Sequence, residues 1–148
     1  MIRINLGCGF DVRSGWVNID KRALPGIDIQ YDLDQQPWPL PDDCAEEIVA
    51  LDVFEHLRDV IDAMNECWRI LIVGGRLTVR GPVPESPNLW VDVSHRRAFV
   101  EHSFDHFDWS TDFGRRYHYG IGPWKIVTAQ RENGNIVFVI VKQSRHEV

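Results

Sequence analysis

Six residues, 10–15, separate a glycine turn at Gly7-Cys8-Gly9 from the next apolar run at 16–20, and six more, 21–26, lie before a third run. A crossover between parallel strands usually needs a dozen or more residues when it carries a helix. If the three runs are neighbouring strands, loops or single turns must join them, and helix content is reduced. The runs do read as strands. Residues 2–6 are a short apolar segment that breaks at the glycines, residues 16–20 end in Asp20, and residues 27–32 alternate with period two and end in Asp32.

Pro37, Pro39 and Pro41 then fix an extended, non-helical connection. Residues 47–52 read as a fourth strand. Over residues 57–71, Val60, Ile61, Met64, Cys67, Trp68 and Leu71 recur at spacings of three and four, which predicts one amphipathic helix. Gly74-Gly75 is expected to stop it, with a fifth strand at 76–80. Residues 81–87 are a proline-rich loop, and a second helix is expected over 97–107. Asn133-Gly134 between apolar runs at 125–130 and 136–142 is a strong hairpin signal. The order predicts a single α/β domain over residues 1–148. Its sheet is Rossmann-like and mostly parallel, with a C-terminal antiparallel hairpin.

A formal net charge of −6 opposes binding to nucleic acid through phosphate neutralisation, although Arg96-Arg97 and Arg115-Arg116 are paired. No apolar run approaches the ~20 residues that span a bilayer. The N-terminus runs directly into strand with no signal-peptide pattern, so the expected location is cytoplasmic. Cys8, Cys44 and Cys67 have no metal-ligand or disulfide spacing, and no metal site is expected.

The chemistry-bearing residues collect at strand ends. Glycines there let a ligand approach the backbone. Asp20 is placed to accept from both hydroxyls of a ribose, Asp32 from an exocyclic amine, and Leu33 to offer an apolar face. Asp52 and Glu55, three apart where the predicted helix begins, also fit a capping pair of purely structural role. Asp20 taken alone equally fits a solvated strand end. In open α/β sheets, however, ligands bind outside the carboxyl ends of the strands, where all of these residues fall.

Asn5-Leu6-Gly7-Cys8-Gly9, Asn18-Ile19-Asp20, Asp32-Leu33, Phe54-Glu55-His56-Leu57 and the stretch from Arg69 through Gly74-Gly75 to Leu77 resemble successive motifs of class I S-adenosylmethionine (SAM)-dependent methyltransferases. The likeness is to the small "methyltransferase domain, type 11" group and runs over about residues 2–83. It implies SAM as cofactor, with the Asn5, Gly7, Cys8, Gly9 turn against its amino-acid part. Asp20 would then hold the ribose, Asp32 and Leu33 would frame the adenine, and Asp52 and Phe54 would lie near the methyl group. A dinucleotide site fits less well. Asp20 follows Gly7 by thirteen residues rather than about twenty, and the third glycine is missing.

The segment Asp92-Val93-Ser94-His95-Arg96-Arg97-Ala98-Phe99, with Ser103-Phe104, resembles one that follows the fifth strand in small members of the group, with Val93 in place of a proline. His95 is the candidate catalytic base, with His56 as the other imidazole. Arg96 and Arg97 are candidates for a carboxylate or phosphate on a small-molecule acceptor. His95 and Arg97 equally fit a role in organising the loop. The expected function is methyl transfer to O or N of a small polar acceptor, or, as the alternative, SAM binding without catalysis in a regulatory or assembly module. Because helices seen in the full fold are missing, one sheet face should be open. Homodimerisation or a partner protein across that face is expected.

Overall fold

The computed structural model describes residues 1–147. Seven strands form one sheet: β1 (Ile2–Leu6), β2 (Val17–Asp20), β3 (Ile29–Gln30), β4 (Ala45–Leu51), β5 (Leu71–Pro82), β6 (Trp124–Glu132) and β7 (Asn135–Lys142). Their order is β3-β2-β1-β4-β5-β7-β6, parallel through β5, with β7 antiparallel to both β5 and β6. From β1 the chain moves outward to β2 and β3, then crosses back to β4 on β1's other side. The carboxyl ends of β1 and β4 therefore flank a topological switch point, where open α/β sheets place their ligands.

The β6–β7 hairpin turns at Asn133 and Gly134, both with positive φ (49° and 80°), as its Asn-Gly sequence predicts. Strand three is shorter than its alternation suggests, with only Ile29 and Gln30 pairing to β2. The connections at 10–15 and 21–26 contain no helix, in agreement with their length.

Helix α1 (Val60–Ile70) begins later than its pattern predicts. Asp59 is the N-cap and accepts from the Asp62 N–H, so Asp52 and Glu55 form no capping pair. Ala63, Met64, Cys67 and Ile70 face the core, whereas Ile61 is exposed. Gly74-Gly75 does not separate helix from strand. β5 starts at Leu71, opposite Ala45, and the next paired residues are Glu47 and Arg76, so residues 72–75 bulge out of register.

The helix expected over 97–107 is absent. The Arg96 N–H donates to Glu55 O and the Phe99 N–H to Pro82 O, so this backbone is spent on the sheet rim. In the stretch that follows, helical structure takes the form of a 3₁₀ turn at Asp105–Phe107 and of α2 (Asp112–Tyr117), which Thr111 caps by accepting from the Gly114 N–H. Phe104 anchors the segment. Its ring lies 4.6 Å from Phe138, 5.8 Å from Phe99, 5.9 Å from Phe107 and 6.4 Å from Phe54. Of the remaining aromatics in this stretch, Trp124 is core, while Phe113, Tyr117 and Tyr119 are exposed rings around His106.

One face of the sheet buries Ile4, Leu6, Ile48, Ala50, Leu77, Val79, Phe138 and Ile140. On the other face, cross-strand neighbours run Arg3–Glu47–Arg76–Val141 and Asn5–Val49–Thr78–Val139. Near β1 the 10–15 loop covers this second face. Trp16 lies beneath the guanidinium groups of Arg3 and Arg13 at 5.0 and 4.9 Å, and Asn5 is buried beside Asp11 and Asn18. Farther across, Thr78, Val137, Val139 and Val141 are half-buried, and among the described residues no helix is packed on β7.

Candidate functional site

A cleft of about 800 Å³ opens at the carboxyl ends of β1, β2 and β4. Its volume suits a cofactor-sized ligand. Of the residues singled out from sequence, Gly7, Asp20, Asp32, Leu33, Asp52, His56 and Arg96 line it. Asn5, Cys8, Gly9, Phe54, His95 and Arg97 do not.

Each of those outside the cleft has a visible reason. Asn5 Nδ2 donates to Asp11 O and Asn18 Oδ1, which knots the β1–β2 loop. Cys8 N–H donates to Ile19 O, holding the turn to β2. Gly9 N–H donates to Asp20 Oδ2 at 2.8 Å, so it orients the acid from behind. Phe54 is fully buried against Phe104, and its neighbour Val53 faces the cleft instead. The Arg97 guanidinium donates to the carbonyls of Phe54 and Arg58, which makes it a brace for this loop. His95 sits just behind the cleft wall, its ring 4.7 Å from that of His56.

The Asp20 carboxylate is almost completely buried, yet it borders the cleft. It accepts from Gly9 N–H, Arg22 N–H and Arg22 Nε. Burial works to raise its pKa, but these bonds and the Arg22 charge outweigh it and hold the carboxyl below its usual value. Gly7 has φ +57°, and a Cβ there would lie 2.7 Å from Val53 Cγ2, so only glycine keeps this corner unstrained. Asp52, also at positive φ, is ion-paired to Arg80 at 2.6 Å. Asp34 accepts from the Arg58 N–H and so ties the loop after β3 to the one after β4.

At the opposite end of the cleft lie Asp92, Ser94, His56 and Arg96. Beneath them Glu55 is only 2% exposed. Burial pushes its carboxyl up to about 7, the Asp52 charge adds to this, and His95 and Arg80 partly offset it. Burial, then His95, pulls the His56 imidazole below its usual value. No local pattern marks Glu55 as buried, because its spacing from Asp52 suits the first turn of a helix. Lys21 and Arg22 also border the cleft, and their place directly after Asp20 at a strand end is the sequence signal for them.

A family described as "Methyltransferase domain" matches residues 5–79, half of the chain. The chain belongs to this methyltransferase family. Among solved structures, a SAM-dependent methyltransferase from Thermotoga maritima is similar at 18% identity and a TM-score of 0.68, over 96% of this chain and 82% of that one. One from Archaeoglobus fulgidus is similar at 12% identity and 0.65, over 95% and 86%. A complex containing the Haloferax volcanii Trm112 methyltransferase activator matches at 13% identity and 0.60, over 97% and 83%. At these identities the structural likeness speaks to fold. No curated protein matches the chain.

This methyltransferase therefore has the class I SAM-dependent fold of the type 11 group, and SAM is its cofactor. The residues present fit that group. A carboxylate has about four acceptor sites, and Asp20 uses three. The longest of these bonds, Arg22 Nε at 3.3 Å, comes from a side chain more than half exposed. Releasing it leaves two sites, the number a vicinal diol requires. Leu33 and Tyr31 supply apolar wall beside Asp32, one of whose oxygens accepts from the Asp34 N–H. Among the described residues, no helix is long and apolar enough to cross a membrane.

Proposed function

We propose that this methyltransferase transfers a methyl group to an oxygen or nitrogen of a small polar acceptor bound at the His56–Ser94–Arg96 end of the cleft. The observation that carries the reading is the cleft's two-ended chemistry. Asp20, Asp32 and Leu33 stand at one end, with imidazole, hydroxyl and guanidinium groups at the other. Asp20 would take the ribose hydroxyls, Asp32 and Leu33 the adenine, and the Gly7 corner the amino-acid part. When bound, SAM supplies a sulfonium methyl carbon, which takes an electron pair from the acceptor as the carbon–sulfur pair passes to sulfur. A protonated acceptor must lose its proton, and Glu55, His56 and His95 are the groups at that end able to bring this about. Arg96 supplies a positive charge for an anionic group on the acceptor.

Replacing His95 by Ala is expected to lower methyl transfer by about 100-fold, while S-adenosylhomocysteine (SAH) binds within about twofold of the parent. Turnover measured with a screened acceptor, beside calorimetric SAH affinity, checks this. Equal turnover would reduce His95 to a brace for the 89–95 loop through its bond to Leu89 O.

The working assembly is a homodimer formed across the uncovered sheet face. Support comes from Val137, Val139 and Val141, half-buried on a strand with no helix packed on it among the described residues, in a strip crossed by the Glu47–Arg76 and Asp52–Arg80 ion pairs. Apolar area flanked by both charge signs suits a self-complementary two-fold contact. Light scattering after size exclusion should give twice the mass of one chain at micromolar concentration, and Val139→Lys should return one. A parent monomer would contradict this. Three free thiols support a cytoplasmic setting.

A further inference from the structure

At the acceptor end of the cleft a carboxylate and two imidazoles converge. One ligand atom from each of Glu55, His56 and His95 lies within 4.8 Å of the other two. The hydrogen bonds around the two rings indicate which nitrogen of each neutral ring is left to ligate. Ser94 Oγ gives its proton to Asp92 Oδ1 at 2.6 Å, so at 2.8 Å from His56 Nδ1 it can only accept. His56 therefore carries its proton on Nδ1. His95 Nδ1 lies 2.6 Å from Leu89 O, and a carbonyl can only accept, so this ring is also protonated at Nδ1. Both rings then present a bare Nε2 lone pair.

Glu55 adds an independent observation. Its Oε1 is, among the described residues, the one buried side-chain polar atom without a hydrogen-bond partner. A buried acceptor left unmatched is costly, and such groups call for an unseen proton, water or ion. Of the neighbouring charges, Arg80 is paired with Asp52, Arg96 lies at the same end of the cleft, and the Asp92 carboxylate, which accepts from Ser94, stands 3.8 Å from His95 Nε2.

We infer that Glu55, His56 and His95 form a binding site for one divalent transition-metal cation at the acceptor end of the cleft. Imidazole rings locked by Nδ1–H bonds to a carbonyl and to a carboxylate-backed hydroxyl have the outer-shell arrangement usual for metal-ligating histidines. Two imidazoles and one carboxylate, with no thiolate, suit Zn²⁺, Fe²⁺ or Co²⁺ better than Mg²⁺ or Ca²⁺. Ligand atoms around such an ion sit about 3 to 3.5 Å apart, so from separations of up to 4.8 Å binding asks for a contraction of up to about 1.5 Å by side chains on one loop pair. Three protein ligands leave coordination positions open toward the cleft. The acceptor class they favour presents a hydroxyl beside a second oxygen. What the cation does for an acceptor rests on the function proposed above, whereas its binding does not.

The test is a titration of tag-free, metal-stripped protein with CoCl₂, followed by visible absorption and by ZnCl₂ calorimetry. One saturable equivalent is expected, with millimolar Mg²⁺ unable to displace it. His56→Ala and His95→Ala should each weaken Co²⁺ at least tenfold while retaining the parent's circular dichroism. Glu55→Gln should do the same. Absence of saturable binding, or equal affinity in the two histidine variants, overturns the site. SAH affinity of the metal-free protein, measured separately, reports on the cofactor end. Co²⁺ binding without SAH binding would sink the proposed function and leave the metal site standing.

Discussion

Asp20→Ala is expected to weaken SAH binding by roughly 100-fold or more. Hydrogen bonds to a charged group are worth about 1.5 to 3 kcal/mol each, and the proposed diol contact makes two, so the pair carries about 3 kcal/mol even at the lower value. The same substitution removes the acceptor of the Gly9 and Arg22 backbone N–H groups. The melting temperature should therefore fall by about 5 °C as well. The two effects separate by experiment, since Gly9→Ala strains the turn at its positive φ but leaves the carboxylate in place. Calorimetric affinity beside a thermal melt provides both readouts. Unchanged SAH affinity in Asp20→Ala would remove the ribose assignment even if the melt shifted.

The largest stability effect should come from Phe104→Ala. Phe104 touches four other phenylalanines and is 1% exposed. Deleting a buried ring of this kind costs about 3 to 5 kcal/mol, which at this chain length means a drop of roughly 10 °C or more. The consequence reaches the site. Phe104 packs on Phe99, whose N–H holds Pro82 O, and on Phe54, whose carbonyl receives Arg97. Loosening it frees the 92–99 segment from the 52–58 loop, so His95 and Glu55 should lose their registry before the sheet unfolds. Thermal denaturation, with Co²⁺ affinity measured well below the melt, checks both statements. A shift below about 2 °C would mean that the aromatic cluster is not what fastens this segment.

The sheet was legible where local pattern and tertiary role coincide. Residues 2–6, 17–20 and 45–51 are short apolar runs that end at glycine or acid, and the Asn-Gly hairpin is specified by its own backbone requirement. The short connections at 10–15 and 21–26 likewise announced their missing helices. The failures share one cause, which is backbone or side chains committed to distant partners. Residues 97–107 have helix-compatible spacing, but Arg96 and Phe99 N–H groups bond to Glu55 and Pro82. Asp52 looked like a cap, but it sits at φ +61° in an ion pair with Arg80, and the cap is Asp59. Phe54 is spent on the core against Phe104, and Val53 stands beside the cleft in its place. The burial of Glu55 depends on the 92–99 segment lying over it, which no local pattern encodes. In the cofactor half of the cleft, by contrast, Gly7, Asp20, Asp32 and Leu33 lie where their strand-end positions put them.

That a class I fold with no helix at residues 10–15 or 21–26 holds the cofactor in this cleft is the expectation on which the proposed function rests. Its most direct test is calorimetric titration of the purified chain with SAH and, separately, with SAM. Saturable one-to-one binding of both at micromolar affinity is the predicted result. Absence of heat with either ligand, in protein shown to be folded, would contradict it.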